Sequence, residues 1–252
     1  MIDRLTDIMI RLRGPDGCAW DRAQDWSSIA PYTIEEAYEV ADAIARDNPD
    51  DLKEELGDLL LQVVFHSRIA EERGAFDMAA VIGAICDKLE HRHPHIFGTA
   101  DAPVSWEAIK AEERGQRGDP SALAGVALGL PELLRAEKLQ KRAARTGFDW
   151  PDPDGARDKI LEELSEVQEA DVQDREDEIG DLLFSVVNYA RHLGVDAEAA
   201  LRRANGKFER RFRHMETAAA GGFASLDLDN KELLWKAAKL YESKGAAPDD
   251  QP

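Results

Sequence analysis

Cysteine is scarce in this chain of 252 residues, which contains only Cys18 and Cys86. Two cysteines cannot build a disulfide framework, so we expect a protein of the reducing, cytoplasmic compartment. Apolar runs are short, and the longest, such as residues 59–65, cannot cross a bilayer. The N-terminus carries acidic side chains early and lacks the apolar core of a signal peptide. We therefore expect a soluble protein with no membrane partner.

Positive charge is also in deficit. The sequence has 32 Lys and Arg against 51 Asp and Glu, which gives a formal net charge of −19. Such a charge repels phosphate backbones at long range, so nucleic acids and anionic membrane surfaces are not expected as partners. Apolar residues nevertheless make up 43% of the chain, which excludes a disordered acidic protein and allows one large or two ordinary domains.

The sequence contains an internal repeat. Residues 55–64 (ELGDLLLQVV) and 178–187 (EIGDLLFSVV) are identical at seven of ten positions, and residues 35–43 and 162–170 at five of nine. Two further blocks follow in the same order: residues 88–92 match 207–211, and the Trp106–Lys110 pair matches Trp235–Lys239. Four matching blocks in one order indicate a duplication.

Apolar residues recur at spacings of three and four, as in amphipathic helices. This spacing predicts helices near 34–46, 51–73, 131–145, 155–173, 175–193 and 196–218, with Pro31 beginning the first of them. Convincing strand patterns are absent. We therefore predict an all-α fold of two tandem helical-bundle domains, residues 1–117 and 118–252, joined by the Gly-rich segment 115–130. The last eight residues are expected to be disordered.

Acidic residues in each repeat have the spacing of a metal site. Glu163 and Glu166 share one helical face, as do Glu178 and Asp181 on the next helix. If these helices pair antiparallel, four carboxylates converge, and their repulsion calls for divalent cations. Oxygen ligands alone favour Mg²⁺ or Mn²⁺, which take further ligands from substrate phosphates. Gly57 and Gly180, each before an Asp, would allow another backbone or a ligand to approach closely.

Basic residues suited to phosphate lie near these blocks. Lys207 and Arg211 share a helical face, and Lys159 precedes Glu163 by one turn. Trp235 would provide an aromatic wall for a base or ribose, with Lys239 as a further cation. Together with the carboxylates, these residues predict a site for phosphate chemistry on a nucleotide. No P-loop pattern is present, which disfavours a Walker-type ATPase.

The residues identified so far resemble the MazG nucleoside triphosphate pyrophosphohydrolases of the all-α NTP pyrophosphatase superfamily. The resemblance covers nearly the whole chain and is carried by GPDGCAWD (14–21), PYTIEEAYEV (31–40), ELGDLLLQVVFHSRIAEE (55–72), RHPHIF (92–97), RAARTGFDW (142–150), EELSEVQEA (162–170), EIGDLLFSVVNYARHLG (178–194) and NGKFERRF (205–212).

This resemblance implies a homodimer that hydrolyses NTPs, including ATP, and dNTPs between the α and β phosphates to NMP and pyrophosphate. It implies that Mg²⁺, with Mn²⁺ as a substitute, is held by Glu163, Glu166, Glu178 and Asp181, the catalytic carboxylates. The nucleotide-binding residues would be Lys159, Glu162, Lys207, Arg211, Trp235 and Lys239. Glu163 is the first candidate to orient or deprotonate the attacking water.

The N-terminal copy keeps most of these residues. It has Glu36, Glu39, Glu55, Asp58, Lys88, Arg92, Trp106 and Lys110, but Tyr32 occupies the place of Lys159. We therefore expect the C-terminal copy to be catalytic and the N-terminal copy to be regulatory or structural, with its activity left open. The alternative function is a non-catalytic nucleotide-binding sensor or adaptor dimer. The sequence leaves open which bases are preferred, how many metal ions are bound and which nucleotide is the physiological substrate.

Overall fold

The computed structural model describes residues 2–98, 119 and 121–243. Within these ranges the chain is built from helices, and no β-strand is present. The predicted all-α fold is therefore confirmed. No helix of the described ranges is long and apolar enough to cross a membrane. The chain divides into two compact units, Met1–Glu113 and Arg114–Pro252. The boundary predicted at residue 117, the linker before residue 119, Trp106, Lys110 and the C-terminal tail lie outside the described residues.

The first unit centres on an antiparallel helical hairpin. Its helices, in chain order, are α1 (Ile2–Arg13), α2 (Ala19–Ala23), α3 (Trp26–Ala45), α4 (Pro49–Glu72), α5 (Met78–Arg92) and α6 (Pro94–Phe97). Helix α4 packs along α3 and also contacts α1 and α5. The core of this unit is formed by Met9, Ile29, Val64, Phe65 and Ile69. Asn48 caps α4, because its side-chain oxygen accepts hydrogen bonds from the Asp50 and Asp51 amides.

Pro31 does not begin α3, as the sequence had suggested. The helix starts five residues earlier at Trp26, where Asp25 and Ser28 form a capping box with two hydrogen bonds of 2.9 Å. This cap satisfies the first amides before the proline is reached. Pro31 then lies inside the helix, where it removes one helical hydrogen bond without ending the helix.

The second unit repeats the hairpin. Its helices are α7 (Glu132–Ala144), α8 (Pro153–Glu169), α9 (Arg175–His192), α10 (Ala197–Ala218) and α11 (Leu228–Ser243), with a short 3₁₀ turn at Phe223–Ser225. Helices α8 and α9 pair along their length, α7 packs on α9, and α10 contacts α7 and α11. Gly194 ends α9 in a left-handed conformation with φ of +69°, and Asp196 caps α10. The hairpin thus places the acidic segments of α8 and α9 side by side.

Candidate metal and nucleotide site

Three carboxylates from α8 and α9 converge in the second unit. Glu163, Glu178 and Asp181 each place one oxygen within 4.8 Å of the others. Glu178 and Asp181 are three residues apart in the first turns of α9, so both project from one face towards α8. Oxygen atoms at such separations can share one divalent cation, for which hard oxygen ligands are suited.

Glu163 is the buried member of this group, with 4% of its surface exposed. Its Oε1 accepts a hydrogen bond from Lys159 Nζ at 2.7 Å. Its Oε2 is buried and has no hydrogen-bond partner. A buried anionic oxygen without a partner is energetically unfavourable, and a cation in the carboxylate group would satisfy it. The residues present therefore fit a divalent metal ion.

Glu166 and Lys159 complete the surroundings of Glu163. The pKa of the Glu166 carboxyl is raised. The main cause is a hydrogen bond that the protonated carboxyl would make with the neighbouring Glu163 carboxylate, and the second cause is burial. Lys159 Nζ also bonds Glu162 Oε1 at 2.9 Å, and its bonds to Glu163 and Glu162 raise the pKa of its ammonium group. Glu162 itself is exposed. Lys159 thus remains charged and compensates the acidic group from one side.

The predicted nucleotide-binding residues of α10 and α11 form a second group. Arg211 donates a hydrogen bond to Glu242 at 2.6 Å, and its guanidinium lies 5.6 Å from the Trp235 ring. Phe208 packs against the same ring, with centroids 5.5 Å apart. Lys207 and Lys239 are exposed. In the described part of the chain, no hydrogen bond or ion pair joins the four predicted residues to the carboxylates of α8 and α9.

The first unit repeats the carboxylate group with a different membership. Glu36, Glu39 and Glu55 each place one oxygen within 4.8 Å of the others. Asp58 is the strongest of the charged neighbours that raise the pKa of Glu36, after burial. The pKa of Glu55 is raised by burial and then by Glu39 and Asp58. No lysine or arginine of the described residues forms an ion pair with these three carboxylates. Their negative charge is therefore not compensated by an ion pair.

Other predicted residues of the first unit lie on α5. Lys88 is exposed and Arg92 is half-buried. Sequence reasoning did not identify Glu242 or the buried Gln62, whose Nε2 lies 3.5 Å from Glu36 Oε1. The amphipathic spacing of α4 is a weak signal for Gln62, because this polar residue falls on the helix face that carries the buried Phe65 and Ile69.

Comparison with known proteins gives consistent matches. The family model described as the MazG nucleotide pyrophosphohydrolase domain matches residues 24–97 and 154–216, one segment in each unit. A nucleoside triphosphate pyrophosphohydrolase of Escherichia coli (strain K12) is 51% identical over 257 residues, covering 96% of this chain and 98% of the relative.

Two further relatives extend the comparison. A Thermotoga maritima protein named nucleoside triphosphate pyrophosphohydrolase/pyrophosphatase MazG is 46% identical over 247 residues, with 95% of this chain and 96% of the relative covered. A nucleoside triphosphate pyrophosphohydrolase of Mycolicibacterium smegmatis is 35% identical over 158 residues, which cover 58% of this chain and 48% of the relative. The matched segments contain both carboxylate groups and the α10 cations. The chain therefore belongs to the MazG nucleotide pyrophosphohydrolase family.

Proposed function

We propose that this chain hydrolyses nucleoside triphosphates and deoxynucleoside triphosphates between the α and β phosphates, releasing NMP and pyrophosphate. The observation that carries the proposal is the buried, unpartnered Glu163 oxygen within a group of carboxylates. The names of the E. coli and T. maritima relatives, each covered over nearly its full length, support the same activity. The second unit, 118–252 in the predicted division, would be the catalytic one.

The carboxylates Glu163, Glu166, Glu178 and Asp181 would hold the metal ion. Three of them already lie within 4.8 Å of one another, and Glu166 contacts Glu163. We propose Mg²⁺ as the ion, with Mn²⁺ as a substitute, because the donors are all carboxylate oxygens. When bound, such an ion polarises phosphate oxygens and neutralises charge that builds up on the pyrophosphate leaving group.

The remaining residues would bind and orient the substrate. Lys159 holds the buried Glu163 carboxylate in place and supplies one positive charge beside the acidic group. Lys207, Arg211 and Lys239 would meet the triphosphate, and Trp235 would stack on the base or ribose. Glu242 fixes the Arg211 guanidinium against the Trp235 ring, so this arginine is oriented before the nucleotide arrives.

We also propose that the protein is a homodimer, because equivalent helix faces of both units expose large apolar side chains. On α9 these are Ile179, Leu183 and Val186, with 44%, 52% and 43% of their surface exposed. The equivalent positions on α4 are Leu56, Leu60 and Val63, with 49%, 41% and 36% exposed. Apolar stripes at helical spacing are covered in stable proteins, and a second copy of this chain offers the matching surface.

Purified protein incubated with Mg²⁺ and each of the eight common NTPs and dNTPs tests the activity. Chromatography should show NMP and pyrophosphate. Asp181→Ala should abolish this turnover, whereas the matched Asp58→Ala in the first unit should keep it. NDP and phosphate as products would refute cleavage between the α and β phosphates. Binding without any product would instead support a nucleotide sensor. Light scattering during gel filtration should give the mass of two chains, and Leu183→Asp should shift it towards one.

A further inference from the structure

A cavity of about 300 Å³ lies in the first unit, away from the carboxylate group of α3 and α4. Helices α1 and α5 both pack against α4, and side chains of all three helices line the cavity. Much of the lining is apolar: Val64 is buried, whereas Ile10 and Ile82 are exposed. The volume is at the lower end of the range of sites that bind small molecules. The cavity can therefore hold a small, partly apolar ligand.

Four carboxylates line the same cavity, and two of them have no partner. Asp77 caps α5 through a hydrogen bond of 2.8 Å, and Glu71 pairs with Arg68, the basic residue of the lining, at 2.8 Å. Within residues 2–98 and 121–243, no hydrogen bond or ion pair reaches the carboxylate of Asp3 or Asp7. The cavity thus combines an apolar surface with negative charge that the protein leaves unpaired.

The spacing of the two unpaired carboxylates indicates the shape of the ligand. Asp3 and Asp7 are four residues apart on α1, so they share one face and lie about 6 Å apart along the helix axis. An extended run of four methylene groups holds the amines at its two ends about 6 Å apart. A compact cation such as a metal ion would leave Ile10 and Ile82 uncovered. A flexible chain of methylene groups between amines would meet both the charges and the apolar lining.

We propose that this cavity binds a linear aliphatic polyamine such as spermidine. Two of its ammonium groups would pair with Asp3 and Asp7, and the third would lie at the side of the cavity that carries Glu71. The methylene groups would pack against Ile10 and Ile82. The net charge of −19 attracts such cations to the protein, and the cavity provides one place that fits them. This site is separate from the proposed hydrolysis and does not depend on it.

Isothermal titration calorimetry of spermidine into the full chain, without nucleotide and at an ionic strength of about 0.15 M, tests the inference. We expect one saturable site per chain. Asp3→Asn/Asp7→Asn should weaken binding at least about tenfold, because it removes both unpaired charges. Asp50→Asn/Glu54→Gln is the matched control, since it removes two charges with the same spacing from the exposed start of α4. This control should bind spermidine as tightly as the wild type.

A second pair of variants separates the cavity from the overall charge of the protein. Ile82→Lys places an ammonium group in the lining and should also weaken binding at least about tenfold. Ile85→Lys adds the same charge to the same helix outside the lining and should keep the wild-type affinity. Both isoleucines are exposed, so this pair still tests the site if the α1 double variant fails to fold, which circular dichroism would reveal.

Three results would overturn the inference. These are a wild-type protein without a saturable site, an unchanged affinity in folded Asp3→Asn/Asp7→Asn or Ile82→Lys, and equal losses in Ile82→Lys and Ile85→Lys. Asp181→Ala should lose hydrolysis and still bind spermidine. Loss of spermidine binding in that variant would place the polyamine at the metal site and contradict the inference, while leaving the proposed hydrolysis intact.

Discussion

Glu163→Gln should abolish hydrolysis while leaving the folded protein about as stable as before. The substitution keeps the size of a side chain that is only 4% exposed, and it removes one negative charge from the carboxylate group. Because Glu163 supplies the buried oxygen proposed to hold the metal, we expect turnover to fall by about a hundredfold or more.

The effect on stability follows from the charges around Glu163. Glu178 and Asp181 lie within 4.8 Å, and at an effective dielectric constant of about 20 each repels Glu163 by about 3 kcal/mol. Lys159, at 2.7 Å, attracts it by about 6 kcal/mol on the same scale. Glu166 adds a further repulsion, which solvent screens most strongly because this carboxylate is exposed. Screening also reduces the other three energies, and the two repulsions nearly balance the attraction. We therefore expect the free energy of unfolding without metal to change by no more than about 1 kcal/mol.

Pyrophosphate release and urea unfolding, each measured on the same preparations, check both parts. Glu169→Gln is the matched control, because this exposed carboxylate lies on the same helix and, among the described residues, accepts a hydrogen bond from Ser165 alone, at 3.3 Å. It should keep wild-type turnover and stability. Retention of more than about a tenth of the wild-type rate by Glu163→Gln would refute its role at the metal. A loss of stability above about 3 kcal/mol would show that the Lys159 attraction outweighs the repulsions.

Three further predictions concern other parts of the chain. Asp149→Asn should lower the free energy of unfolding by about 1–3 kcal/mol at neutral pH. Hydrogen bonds from Arg191 and His192 lower the pKa of Asp149, so its stabilisation is present above the ordinary carboxyl pKa and lost as the pH falls through the lowered one. Urea unfolding in strong acid should then show no difference, and a difference that persists there would contradict this. Trp235→Ala should raise KM about tenfold or more for every base, whereas Trp235→Phe should raise it less; an unchanged KM in steady-state assays would exclude stacking. Chelation by EDTA should stop pyrophosphate release, and excess Mg²⁺ or Mn²⁺ should restore it; hydrolysis that survives chelation would rule out a metal-dependent reaction.

Helices with a regular apolar period were predictable from the sequence. The hairpins α3–α4 and α8–α9 follow their apolar spacing. Asn48 caps α4 at the turn of the first hairpin, and Asp196 caps α10 after the second hairpin has ended. The repeat indicated that both hairpins carry the same acidic blocks. The convergence of carboxylates was expected only on the condition that the helices pair antiparallel, since spacing along one helix does not determine its neighbour.

Contacts between helices could not be predicted in the same way. Glu242 meets Arg211 across α10 and α11 because of the relative register of these helices, which no local pattern encodes. Gln62 is buried beside Glu36 for the same reason. The capping box at Asp25, and not the preference of proline for a first turn, determines where α3 begins.

Gly57 and Gly180 offer a route to a more thermostable protein. Apart from the adjacent residues and the nearby backbone of its own helix, a methyl group added at either position would meet no atom of the described residues within 4 Å. Alanine is favoured over glycine inside a helix by about 1 kcal/mol, so each glycine weakens its own helix. Both copies of the repeat contain this glycine, which directly precedes Asp58 in the first unit and Asp181 in the second. Gly57→Ala should therefore stabilise the protein in the unit that is not expected to turn over nucleotide. Gly180 would be kept, because a glycine beside Asp181 leaves room for a ligand to approach α9.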